Sequence, residues 1–321
     1  MNKVHNILVT GVGAIIGYGI IESLQLANAN CFIVGIDVFP DNYGKHICDK
    51  FIQVPYTNAP QYRKAVEDII IANKIDLIFP GIEQDLYYFI ENQNSFDTQI
   101  VLNQHELVLL SKDKLLMYNY LMGKSFKWLI PTFSNLNFEN ASTKLGLPFI
   151  VKPKSSYASK GFHVIQNEEK FNALKLEFNK NTIFQPYVGS IDEEYTISAF
   201  GDGNGNAIDL LILRRYLSAA GASEKAYTIE DSAPFIPAIN ELMKLFKPIG
   251  PTNFQFRKQQ DSIYLLEINP RISSACSIRT KFGYNDPLLC IQHYLQNKKY
   301  QPINKLKGSA IRYIADKISY E

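Results

Sequence analysis

Cysteine is scarce in this sequence, and what there is lies scattered. Cys31, Cys48, Cys276 and Cys290 form no Cys-x-x-Cys pair. A zinc site or a disulfide framework is therefore not expected, and buried free thiols are the better reading. Long runs of one charge are also missing. The chain has 33 Lys and Arg against 31 Asp and Glu, a formal net charge of +2. Nucleic acid is accordingly not expected as the main partner. No stretch approaches the roughly eighteen apolar residues that a membrane span needs. Residues 1–10 read as a short strand, without the apolar core of a signal peptide. These absences together set the expectation of a cytoplasmic protein with neither membrane nor nucleic acid among its partners. No internal repeat or low-complexity segment stands out. With 321 residues, 46% of them hydrophobic, the chain can bury a large core and divides into two or three structural units.

The first part alternates. NILVT (6–10) and FIVGI (32–36) are short apolar runs, and a helix-periodic segment lies between them at roughly 17–27. A second helix is expected over 60–74, a buried strand in IDLIFPG (75–81) and a helix in EQDLYYFIEN. Strands alternating with helices predict a parallel sheet covered on both faces. SKDKLLMYNYLM (111–122) then reads as a helix with Ser111 as N-cap, Lys114 on its first turn, and Leu115, Leu116, Tyr118 and Leu121 as its apolar face.

After Pro131 the texture changes. PFIVKP, KGFHVI and NTIFQPYV are strand-like, with a helix in EEKFNALKLEF. Gly-Asp-Gly-Asn-Gly separates two strand-like runs and marks a hairpin. A helix near 232–246 follows, then a second hairpin, NFQFRKQQDSIYLLEINPR, turning at KQQDS. Antiparallel hairpins with intervening helices predict an α+β second half. The tail after about residue 300 reads as one more strand and a polar end.

Three sets of residues carry candidate chemistry, and the glycines near the start compete with them. Gly11, Gly13 and Gly17 stand between a strand and a helix, with Asp37 after the second strand. A dinucleotide fingerprint needs its third glycine one residue earlier, where Ile16 stands, so turn and packing glycines are the stronger reading. The densest set is in the second hairpin. Residues two apart on a strand share a face, so Glu267 and Asn269 point together while Leu266 and Ile268 are expected to enter a core. Pairing across the turn brings Gln255 beside Glu267, and Arg271 follows. Such oxygen donors suit Mg²⁺ held partly by substrate phosphates, with a fixed cation for phosphoryl chemistry. By spacing alone, a hairpin with a polar outer face accounts for the pattern equally well. In FIVKPKSSYASKGFHVI, Lys152 ends a strand, and Ser155, Ser156, Ala158, Ser159, Lys160 and Gly161 form a loop able to fold over phosphates, or a plain turn with surface lysines. In IFQPYVGSIDEEYTI, a strand end followed by paired acids can hold a nucleoside, or the acids are ordinary solvated charges.

The order of the three sets resembles the ATP-grasp superfamily, in particular the group around the carbamoyl-phosphate synthase large subunit. Similar modules occur in biotin carboxylase and D-alanine–D-alanine ligase. The resemblance runs from the amino-terminal α/β unit to about residue 295 and is most specific over Asn253–Arg271. It implies a parallel-sheet pre-ATP-grasp domain over 1–110, a small ATP-grasp subdomain with its linking helix over 111–188, and a large metal-binding subdomain over 189–321. It implies nucleotide contacts from Lys114, from Lys152, and from a phosphate-covering loop of Ser155, Ser156, Ser159, Lys160 and Gly161. Gln185, Tyr187 and Val188 would form the hinge whose backbone reads adenine, and Glu194 would take the ribose. Gln255, Glu267 and Asn269 would hold Mg²⁺ or Mn²⁺, with Arg271 at the reacting phosphate. Departures are few: the loop has less glycine than usual, Pro186 replaces an acid at the hinge, and Gln255 leaves Glu267 as the sole charged metal ligand.

The implied activity is an ADP-forming ligase. A small carboxylate is activated by ATP as an acyl phosphate and joined to an amine; a kinase that phosphorylates a small molecule without ligation is the alternative. Arg215, at the end of LLILRRY, is the candidate to bind the carboxylate, with a surface arginine as the competing reading. Partners expected are the small carboxylate and amine substrates, with a homodimer among the assemblies to anticipate. A nicotinamide-dependent oxidoreductase would leave the sequence from Glu267 to Arg271 without a role.

Overall fold

A computed structural model describes residues 3–155, 161–218, 221–296, 304–314, 316 and 318. The first sheet is five-stranded and parallel. It is made of β1 (His5–Thr10), β2 (Cys31–Asp37), β3 (Lys50–Gln53), β4 (Leu77–Phe79) and β5 (Gln99–Ile100), in the order β3-β2-β1-β4-β5. The helices α1 (Ile15–Leu26), α2 (Tyr62–Asn73) and α3 (Glu83–Asn92) connect these strands. The strand order reverses at β1, so the carboxyl ends of β1 and β4 border a crevice, the usual ligand position in open α/β sheets.

The turn from β1 into α1 is held by close contact. Gly11 has φ +57°, and Ile82 packs directly over it. A Cβ on Gly17 would lie 2.2 Å from the Gly11 carbonyl oxygen, so only glycine lets α1 start against the strand end. The amides of this turn are already used. Val12 donates to the Ile36 carbonyl, Gly13 to Asp37, and Ala14 to the Gly11 carbonyl. These glycines are packing residues of the first unit.

Two short helices, α4 (His105–Ser111) and α5 (Lys114–Gly123), lead to the second half. Ser111 ends α4 rather than capping α5. The cap is Asp113, whose carboxylate accepts from the amides of Leu115 and Leu116. The apolar face is also rotated from expectation. Met117 and Leu121, four apart, are buried, while Leu116 is exposed.

A four-stranded sheet in the order β6-β9-β7-β8 comprises β6 (Phe133–Ser134), β7 (Phe149–Pro153), β8 (His163–Ile165) and β9 (Thr182–Pro186). The helices α6 (Phe138–Leu145) and α7 (Glu168–Leu174) pack on it through Phe138, Phe149, Phe171 and Phe184. The largest sheet has six strands: β10 (Glu194–Asp202), β11 (Ala207–Leu217), β12 (Ser223–Thr228), β13 (Ile249–Gln259), β14 (Ser262–Asn269) and β15 (Ser309–Ile311), ordered β14-β13-β10-β11-β12-β15. The helix α8 (Ile236–Phe246) covers one face with Ala238, Ile239, Leu242, Met243 and Phe246, spaced for one helical stripe. It begins at Ile236, after the expected 232, with Pro237 in its first turn.

Two further helices, α9 (Cys276–Lys281) and α10 (Asp286–Cys290), tie the large sheet to the first unit. Cys276, Ile278 and Leu289 share a core with Ile16, Ile20 and Leu24 of α1. Beneath them Arg279 and Asp286 form a fully buried ion pair at 3.0 Å. The tail strand expected after residue 300 is β15, antiparallel to β12. All four cysteines are free thiols; Cys276 and Cys290 are buried, as expected, whereas Cys31 and Cys48 are only half-buried. Among the described residues no helix is long and apolar enough to cross a membrane.

The steric limit at the first turn makes Gly17→Ala disruptive. It is expected to destabilise the protein by about 1–3 kcal/mol through overpacking, seen as a lower urea midpoint by circular dichroism.

Candidate active site

The second hairpin forms with a two-residue turn, because Gln259 pairs with Ser262. That register places Gln255 directly opposite Glu267 and Asn253 opposite Asn269. One residue later the register shifts, and Phe256 faces Leu265. Leu266 is therefore a bulge. Alternation places Leu266 in the core; the bulge instead turns it to the cleft and sends Leu265 and Ile268 inside.

Along β10 the residues Glu194, Thr196 and Ser198 share the cleft-side face. Glu194 is flanked in register by Arg215 on β11 and Arg257 on β13. Both contacts are made. Arg215 donates from Nε and Nη2 to Glu194 Oε1, at 3.2 and 2.8 Å, and Arg257 Nη2 reaches Oε2 at 2.7 Å. Arg215 does face the cleft, and Arg214 turns away toward Asp192 and Glu193. Yet Arg215 is only 4% exposed and its guanidinium is engaged by Glu194. The structure does not present it as a free cation for a substrate carboxylate. The reason is the register, which puts a carboxylate opposite it.

Around these strands lies a cleft of about 470 Å³ with walls from all three sheets. Lys114, Lys152, Gln185, Val188, Glu194, Arg215, Gln255, Glu267, Asn269 and Arg271 all line it, as does the start of α1. Tyr187 does not, because Pro186 and Val188 take the two adjacent cleft positions. Ser155 stands at the rim and donates from Oγ to the Lys112 carbonyl at 2.5 Å. Gly161 has φ +72° and sits close to Pro153. Ser156, Ser159 and Lys160 lie outside the described residues. Gln185 is buried, with its side-chain amide donating to Thr132 at 2.7 Å.

Charges in this cleft are arranged in contacts. Lys114 Nζ lies 3.2 Å from Glu267, and Asn269 donates to the other Glu267 oxygen at 3.2 Å. Burial alone would raise the Glu267 carboxyl, but Lys114, the Asn269 amide and Lys152 outweigh it and hold it below the usual range. Lys152 shows the opposite. Burial, reinforced by Lys114, lowers its amine to about 8. Arg271 bridges units: Nη2 meets Glu83 of α3 at 2.5 Å and Asn269 Oδ1 at 3.2 Å. Five basic residues line the cleft against three acids, leaving an excess of two positive charges. Such a cleft suits a polyanion.

Gln255, Glu267 and Asn269 bring side-chain oxygens to one face, the donor type that Mg²⁺ takes. Among the described residues no group of three His, Cys, Asp or Glu offers an alternative metal site. With one charged ligand, the set fits an ion that arrives with phosphates. Two residues escaped the sequence reading. Arg257 stands two residues beyond Gln255 on the same strand, a spacing that signals it. Glu83 opens EQDLYYFIEN, expected as a helix, and its pairing with Arg271 depends on tertiary approach.

Residues 180–317 match the family described as ATP-grasp in the biosynthetic pathway with Ter operon. Residues 7–103 match the PylC-like amino-terminal domain. The second half of the chain thus carries an ATP-grasp domain. Its fold is similar to N5-carboxyaminoimidazole synthetase from Staphylococcus aureus, solved with ADP, at TM-score 0.71 and 20% identity, covering 91% of this chain and 78% of that one. It is also similar to the biotin carboxylase domain of Hydrogenobacter thermophilus 2-oxoglutarate carboxylase, solved with MgADP and bicarbonate, at TM-score 0.71 and 13% identity, covering 96% and 74%. An uncharacterized Mycoplasma pneumoniae protein is 28% identical over 103 residues, 32% of this chain and about a third (34%) of that protein. The parallel-sheet first domain and the antiparallel grasp that follows agree with the architecture expected from sequence.

Two outcomes follow from these charges. Glu194→Gln strands two buried guanidinium groups and is expected to cost about 3–5 kcal/mol, measured as a lower melting temperature. Lys152→Met removes a lysine whose charged form the fold disfavours. In metal- and nucleotide-free protein it is expected to raise the melting temperature by a few degrees at neutral pH. Because the folded amine titrates near 8 and the unfolded one near 10.5, that advantage should fade as pH rises between those values.

Proposed function

We propose that this ATP-grasp chain is an ATP- and Mg²⁺-dependent ligase that activates a small carboxylate and joins it to an amine. The observation that carries the reading is the single face on which Gln255, Glu267, Asn269 and Arg271 meet Lys114 and Lys152 in a positively charged cleft.

In this reading the adenine ring lies in the apolar slot of Ile130, Ile150, Val188 and Leu266, read by the backbone of Gln185–Val188. Glu194 takes a ribose hydroxyl on Oε2, since its carboxylate has about four acceptor positions and three are occupied. Lys152 and Lys114 contact phosphate oxygens, and the loop of Ser155, Ser156, Ser159, Lys160 and Gly161 covers them. Gln255, Glu267 and Asn269 would hold the metal, which would neutralise phosphate charge as a Lewis acid. Lys114 is then displaced from Glu267 toward the phosphates. The substrate carboxylate oxygen attacks the γ-phosphorus and ADP leaves, giving an acyl phosphate. Arg271, held by Glu83 and Asn269, points its guanidinium at the charge that develops on the transferring group. The amine then attacks the acyl carbon and expels orthophosphate. No protein nucleophile is required, because positioning and charge neutralisation carry both steps. Arg215 serves as the counter-ion that orients Glu194.

The boundaries near residues 110 and 188 fit this division of labour, with the nucleotide between the second and third units and the acid substrate nearer the first. Orthophosphate release should appear with ATP, Mg²⁺ and one member of a panel of amino acids and carboxylated sugars. Glu267→Gln should lower that turnover by about a hundredfold or more. Undiminished turnover in that variant would sink the metal assignment. A stable phosphorylated product in place of orthophosphate would replace the ligase by a kinase.

A further inference from the structure

A second cavity of about 470 Å³ opens at the carboxyl edge of the first sheet, outside the cleft already described. Its floor is the turn after β1, and its walls include Asp37, Phe39 and Tyr43 on one side and Tyr62, Ile82 and Asp85 on the other. Ala14 and Ile82 border both cavities. The volume lies in the range of small-molecule sites.

Its charge is unusual for this protein. Among the described residues four carboxylates are buried: Asp37, Asp85, Glu194 and Asp286. Glu194 and Asp286 each face an arginine. Asp37 and Asp85 have no ion-pair partner in the described structure, and both line this cavity. Their contacts come from neutral donors. Asp37 accepts from the amides of Gly13 and Phe39, at 2.9 and 3.0 Å. Asp85 accepts from the hydroxyls of Thr57 and Tyr62, at 2.5 and 2.8 Å. No Lys, Arg or His lines the cavity. Buried charge is normally paired, and here neutral donors alone meet the two carboxylates that border the void. Burial, with a smaller contribution from Asp37, accordingly pushes the Asp85 carboxyl above its usual range.

A nucleotide does not fit this chemistry. The turn's amides are already used within the fold, and nothing basic is present to meet phosphate. Aromatic walls with unpaired carboxylates instead match an organic cation, through charge and cation–π attraction. We propose that this cavity is a second ligand site that takes a small organic ammonium compound, its cation at Asp37 and Asp85 and its carbon body against Phe39, Tyr43 and Tyr62. The proposal does not rest on the ligase reading.

Three probes of one shape and different charge test it on the full chain by isothermal titration calorimetry: benzylammonium, benzyl alcohol and benzoate. Saturable one-to-one binding of benzylammonium is expected, with benzyl alcohol about tenfold weaker and benzoate undetectable. Saturating MgADP should leave the affinity unchanged. Asp85→Asn should weaken it about tenfold. Phe39→Ala, at an exposed position that leaves folding intact, should weaken it about threefold. Absence of benzylammonium binding, equal binding of the alcohol or benzoate, competition by MgADP, or indifference to Phe39→Ala would each overturn the assignment.

Discussion

Charge compensation in a half-buried cleft is the constraint on which the rest of this molecule depends. Five cations and three carboxylates share one cavity, and their separations are small enough that no group can be assessed alone. Glu267 stays ionised despite burial because Lys114 sits on it. Glu194 is tolerated in the interior because two arginines occupy the neighbouring strands at the same level. The surplus positive charge sits where Lys152 is poorly solvated. A ligand-free cleft of this kind is tense in one direction only, and a polyanion relieves it.

The scaffold supplies the precision that such a balance requires. Strand register sets the Arg215–Glu194–Arg257 row, and helix α1 meets the large sheet through the core shared with α9 and α10. Glu83 therefore reaches Arg271 from a different unit at 2.5 Å. That ion pair ties the first unit to the residue that follows the second hairpin, so the two sides of the cleft are mechanically joined.

Much of this was legible in the sequence, for local reasons. The alternating first unit, both hairpins and the pairing of Gln255 with Glu267 follow from periodicity and turn chemistry, which act over a few residues. The failures have equally physical causes. Ser111 looked like a cap, but its hydroxyl donates back to the Val108 carbonyl at the end of α4, and Asp113 accepts the Leu115 and Leu116 amides in its place. The apolar face of that helix was misplaced because Met117, not Leu116, meets the core contributed by distant strands. Arg215 was read as available because a sequence does not show that Glu194 lies opposite it across twenty intervening residues of hairpin and loop. The opposed carboxylates Asp37 and Asp85 are far apart in the chain and meet only when parallel strands bring two loop ends to one edge.

The bulge at Leu266 has a consequence for how this hairpin tolerates change. The tight turn at one end and the extra residue in the middle together act as a reading frame for side chains. Every position from Glu267 onward is phased by that one residue, as codons are phased by a start site. Flattening the bulge into plain alternation with the chain length kept would exchange the faces of Glu267 and Ile268, delivering a carboxylate to the core and an isoleucine to the cleft, whereas removing Leu266 outright would leave Glu267 opposite Gln255. Substitutions at Leu266 can therefore be absorbed as differences of fit in the cleft, because the phase of the strand rests on the backbone bulge rather than on this side chain.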